Sequence, residues 1–366
     1  MPYIVLIIFL AFVFSFISKK KNLKTNSSYK SLSIDFLCFC FCAFILILFY
    51  GLRWNVGIDY MSYYNNVLQK RWMKPQPGTS DIFEFGFQCL YYLSDFFELP
   101  TYFYAVFGGF IIYLFLMKGI YENSINFPLS VFIFFASGLL FFSFNEFRQF
   151  IAVSILFYGL KYCRRKCFLK WTFFILLGSL FHKSCLFFTP LFFICKKSFS
   201  KKTINFFLIL ILFLQLIDVI VILKFLLSFL PGRYSNYADV FEVLKNEGTG
   251  FVSYIYLIIM WLLNNSKNRE KYYKEKNIVY INSFLIATFL LNVFSEFYLI
   301  TRIAEYCLIS IVIVFPIFYK DSKSNMFRYI LFLGILFFFV LNLIKYSLFS
   351  PETNLLTYQT VFSRYN

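Results

Sequence analysis

His182 is the single histidine of the chain and sits in Phe181-His182-Lys183-Ser184. An imidazole titrates near neutral pH, so a positioned histidine can take a proton from a hydroxyl. The plainer role is a hairpin-tip residue that caps helix ends. No second histidine exists and the nine cysteines show no C-x-x-C spacing, so no metal site and no cofactor are expected. Arg148 opens a helix after Asn145 and Glu146, with Gln149 next; it reads either as a site cation or as an interfacial arginine paired to Glu146. Arg302 and Tyr306 are four apart and share a helix face, with Glu305 beside them, so an internal Arg–Glu pair is the structural alternative. Arg53, Asp59, Glu84, Lys183, Arg233 and Glu296 complete the set, and Arg233 reads equally well as a solvated loop charge.

These charges stand out because their surroundings are so apolar. The chain is 60% hydrophobic with mean hydropathy +0.70, and 14% of its residues are charged, against about a quarter in a soluble domain. Apolar runs of roughly 15 to 22 residues are what a bilayer core demands. Backbone polar groups there must satisfy one another, so the spans are helices. A β-barrel would alternate apolar and polar residues, whereas Ile330 to Val340 is apolar throughout. The expected fold is an all-α polytopic integral membrane protein, one transmembrane domain over 1–366. About twelve helices are expected, near 3–18, 33–50, 101–118, 128–144, 149–162, 168–182, 184–195, 203–223, 251–265, 278–295, 303–319 and 329–345. The 57 phenylalanines and 28 tyrosines read as coding bias plus interface belts rather than a cofactor box.

A net charge of +17 would suggest nucleic acid in a soluble chain. Here 21 of the 35 lysines and arginines fall in loops at 19–30, 163–170, 196–202, 266–276 and 320–328. The span set puts all five loops on one side, which the positive-inside bias makes the cytoplasm, with both termini outside. Anionic membrane lipid, not nucleic acid, is the partner this charge implies. Residues 3–17 lack a basic leader and an A-x-A site, so a retained first helix is expected there. Residues 87–98 are too short to span and read as an amphipathic or re-entrant piece on the outer face. Residues 168–195 are expected to form a tight helical hairpin with His182 at its outer tip. Two long outer loops follow, 51–100 and 224–250, the kind that often carry function. The polar set of the opening paragraph then converges on the outer face, where arginines oppose the topological bias.

Gly51-Leu-Arg53-Trp-Asn-Val-Gly57-Ile-Asp59-Tyr60-Met-Ser-Tyr63-Tyr64 resembles the R-x-x-x-G-x-D-Y-x-x-Y start of the first outer loop in EpsG-type and Wzy-like polymerases. Glu84-Phe-Gly86-Phe87 resembles that family's E-x-G-(apolar) segment, and Phe147-Arg148-Gln149-x-x-Ala152 its RQ-x-x-A helix start. Leu180-Phe181-His182-Lys183-Ser184 is similar to its F-H-x-S hairpin, and Arg302-x-x-x-Tyr306 to a later R-x-x-x-Y element. The resemblance runs in family order from about residue 3 to 320, and weakens over 224–250.

The resemblance implies assembly of capsule, exopolysaccharide or O-antigen at the outer face of the cytoplasmic membrane. The substrate it implies is an oligosaccharide repeat on undecaprenyl pyrophosphate, and the partners it implies are a chain-length regulator and a flippase. It implies no cofactor. Under it, Arg148 and Arg302, assisted by Arg53 or Arg233, bind the pyrophosphate, whose leaving oxygens an arginine fork can hold in pairs. His182 is the first choice of base, with Asp59 or Glu84 behind it. Tyr60, Tyr64, Gln149 and Tyr306 would line the substrate, the tyrosines by stacking on sugars, with an interface belt as their plainer role. The rival readings are a lipid-linked oligosaccharide flippase, a membrane O-acyltransferase using the lone histidine, and a ligase whose chemistry nearly equals that of a polymerase.

Overall fold

The computed structural model describes residues 34–68, 84–215, 252–321, 325–348, 354 and 357–362. The expected first span and the 224–250 loop with Arg233 lie outside the described residues. The described chain is almost wholly helical: α1 Ile34–Gly51, α2 Tyr60–Leu68, α3 Phe85–Phe96, α4 Phe103–Asn123, α5 Phe127–Ala136, α6 Leu139–Asn145, α7 Phe147–Arg164 and α8 Phe168–Ser179. A 3-10 segment, Lys183–Phe188, precedes α9 Leu191–Ile194, α10 Lys201–Leu214, α11 Val252–Asn265, α12 Arg269–Tyr272, α13 Glu275–Val293, α14 Tyr298–Leu308, α15 Ile311–Asp321 and α16 Asn325–Leu348. Two short strands, β1 Arg53–Trp54 and β2 Gln359–Thr360, pair antiparallel.

Three segments are long and apolar enough to cross a membrane by themselves: Phe103–Asn123, Lys276–Val293 and Met326–Ile344. Two bent pairs, α5 with α6 and α14 with α15, raise the number to five among the described residues. The 18 residues of α7 reach about 27 Å at 1.5 Å per residue, close to a bilayer core. It carries Arg148 near one end and Lys161 and Arg164 near the other, and Lys161 donates to Glu122 on α4 at 2.7 Å.

The span expected at 128–144 is not straight: α5 and α6 meet at 58°. Gly138 makes the corner with φ +78°, a left-handed conformation open to glycine. The break frees the carbonyl of Ala136, and Asn342 on α16 donates to it at 3.1 Å. That supplies the partner that a bent helix needs away from water. A second expected span, 303–319, is likewise two helices at 47°.

The chain packs as two compact units. The first comprises residues 1–162, 167–189 and 322–366; the second comprises residues 163–166 and 190–321. In the second unit, the Asn264 amide donates to the Lys201 carbonyl at 3.0 Å and to the Asn205 side chain at 2.7 Å. Arg269 donates to the Phe199 carbonyl at 2.7 Å. Two of the basic loops expected on one side, 196–202 and 266–276, are therefore tied to each other.

The first unit holds a feature that hydropathy did not reveal. The tail strand β2 pairs with β1, just after α1, and Val361 N–H donates to the Leu52 carbonyl at 2.9 Å. The Tyr358 ring stacks on Phe49 at 4.3 Å, and its hydroxyl donates to the Phe49 carbonyl.

Candidate functional site

All of the site geometry below lies in the first unit. The segment after β1 must turn sharply to deliver Asp59. Gly57 has φ +101°, and a Cβ there would lie 2.3 Å from the carbonyl oxygen of Phe144. Only glycine permits both the conformation and the approach. Ile58 N–H then donates to the Asn145 side chain at 3.3 Å. The loop is thus fastened to the α6–α7 corner from which Arg148 projects.

A second close approach brings α3 to the tip of the α8 hairpin. Gly86 N–H donates to the Leu180 carbonyl at 2.7 Å. A Cβ on Gly86 would stand 2.8 Å from that same oxygen. On the other side of the tip, α8 and the 3-10 segment run antiparallel, and Trp171 Nε1 donates to the Thr189 carbonyl at 3.3 Å. His182 sits at the turn between these arms, as the sequence led one to expect.

These two fastenings bring five side chains together. Arg148 Nη1 donates to Glu84 Oε2 at 2.7 Å, and His182 Nδ1 lies 3.2 Å from Glu84 Oε1. Arg148 Nε donates to the Tyr63 hydroxyl at 3.2 Å, and that hydroxyl donates to Asp59 Oδ2 at 3.3 Å. The side chains of Arg148 and His182 are each 26% exposed, whereas Glu84 is 11% exposed. The cation and the imidazole are therefore accessible, and the carboxylate that joins them is mostly covered.

Burial pushes the Glu84 carboxyl up. The hydrogen bond from His182 and the charge of Arg148 outweigh that and hold it down at about 2. Glu84 is therefore anionic at any physiological pH. Burial pushes the Tyr63 hydroxyl up to about 12, against the pull of Arg148. It stays protonated and passes its hydrogen to Asp59. The chemical capacity of the cluster is to hold an anion on a guanidinium and to exchange a proton at an imidazole.

Arg148, His182, Glu84 and Asp59 are thus assembled as a group. Gln149 follows Arg148 on α7 but is buried at 3% exposure. Arg53 requires a correction. Expected to assist in substrate binding, it is 1% exposed, with Nη1 on the Tyr50 carbonyl at 2.8 Å and Nε on the Val56 carbonyl at 3.1 Å. Its guanidinium lies 3.7 Å from the Tyr50 ring centre. It holds the loop in shape and has no face for a substrate. Tyr60 is likewise buried, edge-on to Trp54, and its carbonyl accepts from the Tyr104 hydroxyl at 3.2 Å. It packs the loop rather than stacking on a sugar. Arg302 and Tyr306 lie on α14 of the second unit, Arg302 half-buried and Tyr306 fully buried. Tyr63 was missed as a site residue, although its position four after Asp59 on one helix face was a usable signal.

The long apolar helices define a multi-pass, all-α membrane protein, with a polar cluster gathered at helix ends. The chain belongs to the EpsG family, whose model matches residues 36–360. Membership supports a role in membrane polysaccharide biosynthesis. No curated protein and no solved structure matches the chain.

Proposed function

We propose that the chain is a membrane glycosyltransferase that polymerises oligosaccharide repeats carried on undecaprenyl pyrophosphate. In this reading about twelve helices cross the cytoplasmic membrane, both termini face outward, and the site lies at the outer face. The observation that carries it is the meeting of Arg148 and the sole histidine, His182, on one carboxylate, Glu84.

The chemistry follows from those groups. An acceptor sugar hydroxyl attacks the anomeric carbon of the donor. The bond between that carbon and the pyrophosphate oxygen breaks, and its electron pair leaves with the lipid pyrophosphate. The hydroxyl proton passes to His182. Arg148 binds the pyrophosphate and stabilises the negative charge that grows there. Arg302 is a separate candidate for binding the lipid pyrophosphate, on residue type and helix position alone, and Tyr306 a candidate for contact with sugar. Arg233 is retained as a further candidate for the lipid pyrophosphate. A chain-length regulator and a flippase are the proteins such an enzyme would work beside.

His182→Ala is expected to abolish long polymer while leaving membrane abundance unchanged, read on a polysaccharide gel with a quantitative immunoblot. Single repeats should accumulate on the outer side of the membrane. Accumulation on the inner side would instead identify a flippase and overturn the assignment. Arg302→Ala, scored the same way, tests that residue separately.

A further inference from the structure

The geometry points to Glu84 as the residue that decides which nitrogen of His182 acts as the base, by accepting the Nδ1 hydrogen and leaving the Nε2 lone pair for the acceptor hydroxyl. This rests on the reading of His182 as the base. Glu84 is then a positioning residue, acting through the histidine rather than on substrate.

Three observations carry the assignment. Each Glu84 oxygen has its own partner: Oε2 takes the Arg148 guanidinium at 2.7 Å and Oε1 faces His182 Nδ1 at 3.2 Å. An ionised carboxylate can only accept, and arginine keeps its proton at all working pH, so the hydrogen between Oε1 and Nδ1 belongs to the ring. The separation is enforced by backbone, because Gly86 N–H grips the Leu180 carbonyl at 2.7 Å, two residues from each partner. The carboxylate is also more covered than the imidazole, at 11% exposure against 26%. That is the arrangement of a carboxylate that orients a histidine and lies behind it.

Free neutral imidazole prefers its hydrogen on Nε2, which would leave the wrong nitrogen bare. Glu84 reverses that preference. Its charge also favours the imidazolium that forms when the hydroxyl proton is taken. The charged and titratable groups around the ring are Glu84 at the start of α3, Arg148 on α7, Tyr63 and Asp59 beyond it toward α2, and Lys183 next in the chain.

Because His182 is the only histidine, nitrogen-15-labelled histidine in the full-length protein in nanodiscs gives one imidazole to read by NMR. With the ring neutral, the wild-type spectrum is expected to show hydrogen on Nδ1 and a bare Nε2. Glu84→Ala should return the hydrogen to Nε2. Glu84→Gln keeps the shape and removes the charge. In the same variant kcat should drop about 10²–10⁴-fold with KM little changed. A wild-type ring with hydrogen on Nε2, or a hydrogen that stays on Nδ1 in Glu84→Ala, overturns the orienting role. The base assignment is judged apart from this: His182→Ala that polymerises at the wild-type rate removes it, whatever the ring's tautomer.

Discussion

At the scale of single residues, the cluster separates side chains that face the solvent from those that hold them there. Arg148 keeps two donors on the cluster, Nη1 on Glu84 and Nε on Tyr63. A lysine would keep the charge and lose the fork. Arg148→Lys is therefore expected to retain membrane abundance and lose polymer yield by about 10²-fold, the scale of a missing oxyanion-type donor. Gel analysis of polymer length checks this. Arg53 predicts the opposite pattern. Arg53→Met would strand the Tyr50 and Val56 carbonyls in a buried site, and the loss should be roughly 2–5 kcal/mol of stability. Thermal unfolding in detergent should register it as a lowered Tm, and polymer yield should fall only in step with folded protein. The acid behaviour of Glu84 also has a defined sign. Its folded pKa of about 2 lies below its ordinary value, so its stabilising link is complete above the usual carboxylate range and is lost only as pH falls through about 2. Any acid limb of activity between pH 5 and 8 must therefore come from another group, and a pH–rate profile of Glu84→Gln should still show one. A flat profile there would contradict the assignment.

At the scale of elements, short backbone contacts set the position of the site. The E-x-G spacing places Glu84 two residues before the one residue that can lie against the Leu180 carbonyl. Gly86→Ala must push α3 from the α8 hairpin, since its new Cβ would stand 2.8 Å from that oxygen. Overpacking of this kind costs about 1–3 kcal/mol. Activity should fall much further than stability, because Glu84 and His182 would separate. Comparing Tm with polymer yield distinguishes the two effects. The corner at Gly138 is an element of another kind. Asn342→Leu removes the donor to the Ala136 carbonyl, and the expected penalty is about 0.6–1.7 kcal/mol, the range for polar contacts between membrane helices.

At the scale of the whole molecule, the first unit closes on itself through its tail. Residues 357–362 add a strand to the loop that begins at Arg53, and that loop leads through Gly57 and Asp59 to Tyr63. The tail is far from the site in sequence and one element away in space. Deleting residues 354–366 leaves every described helix intact yet frees the loop edge. Such a truncation should reach the membrane at normal levels, become sensitive to protease within 52–68, and make shorter polymer. Normal chain length would show that the loop needs no strap.

Composition and charge placement were enough, without any coordinates, to establish an all-helical membrane protein, because a bilayer allows few other solutions and leaves long apolar runs as the trace. The motifs also placed His182 at a hairpin tip and Arg148 at a helix start, since turn residues and helix entries are local properties. What tertiary structure decided was partnership. Glu84 is 64 residues from Arg148 and 98 from His182, and no spacing rule spans such distances. Burial was equally out of reach: Arg53 and Arg148 look alike in a sequence, but one lies inside an aromatic cage and the other is partly exposed. The bends at Gly138 and between α14 and α15 escaped hydropathy because a broken apolar helix is as apolar as a straight one. The strand of the tail escaped because a two-residue ladder leaves no periodicity to read.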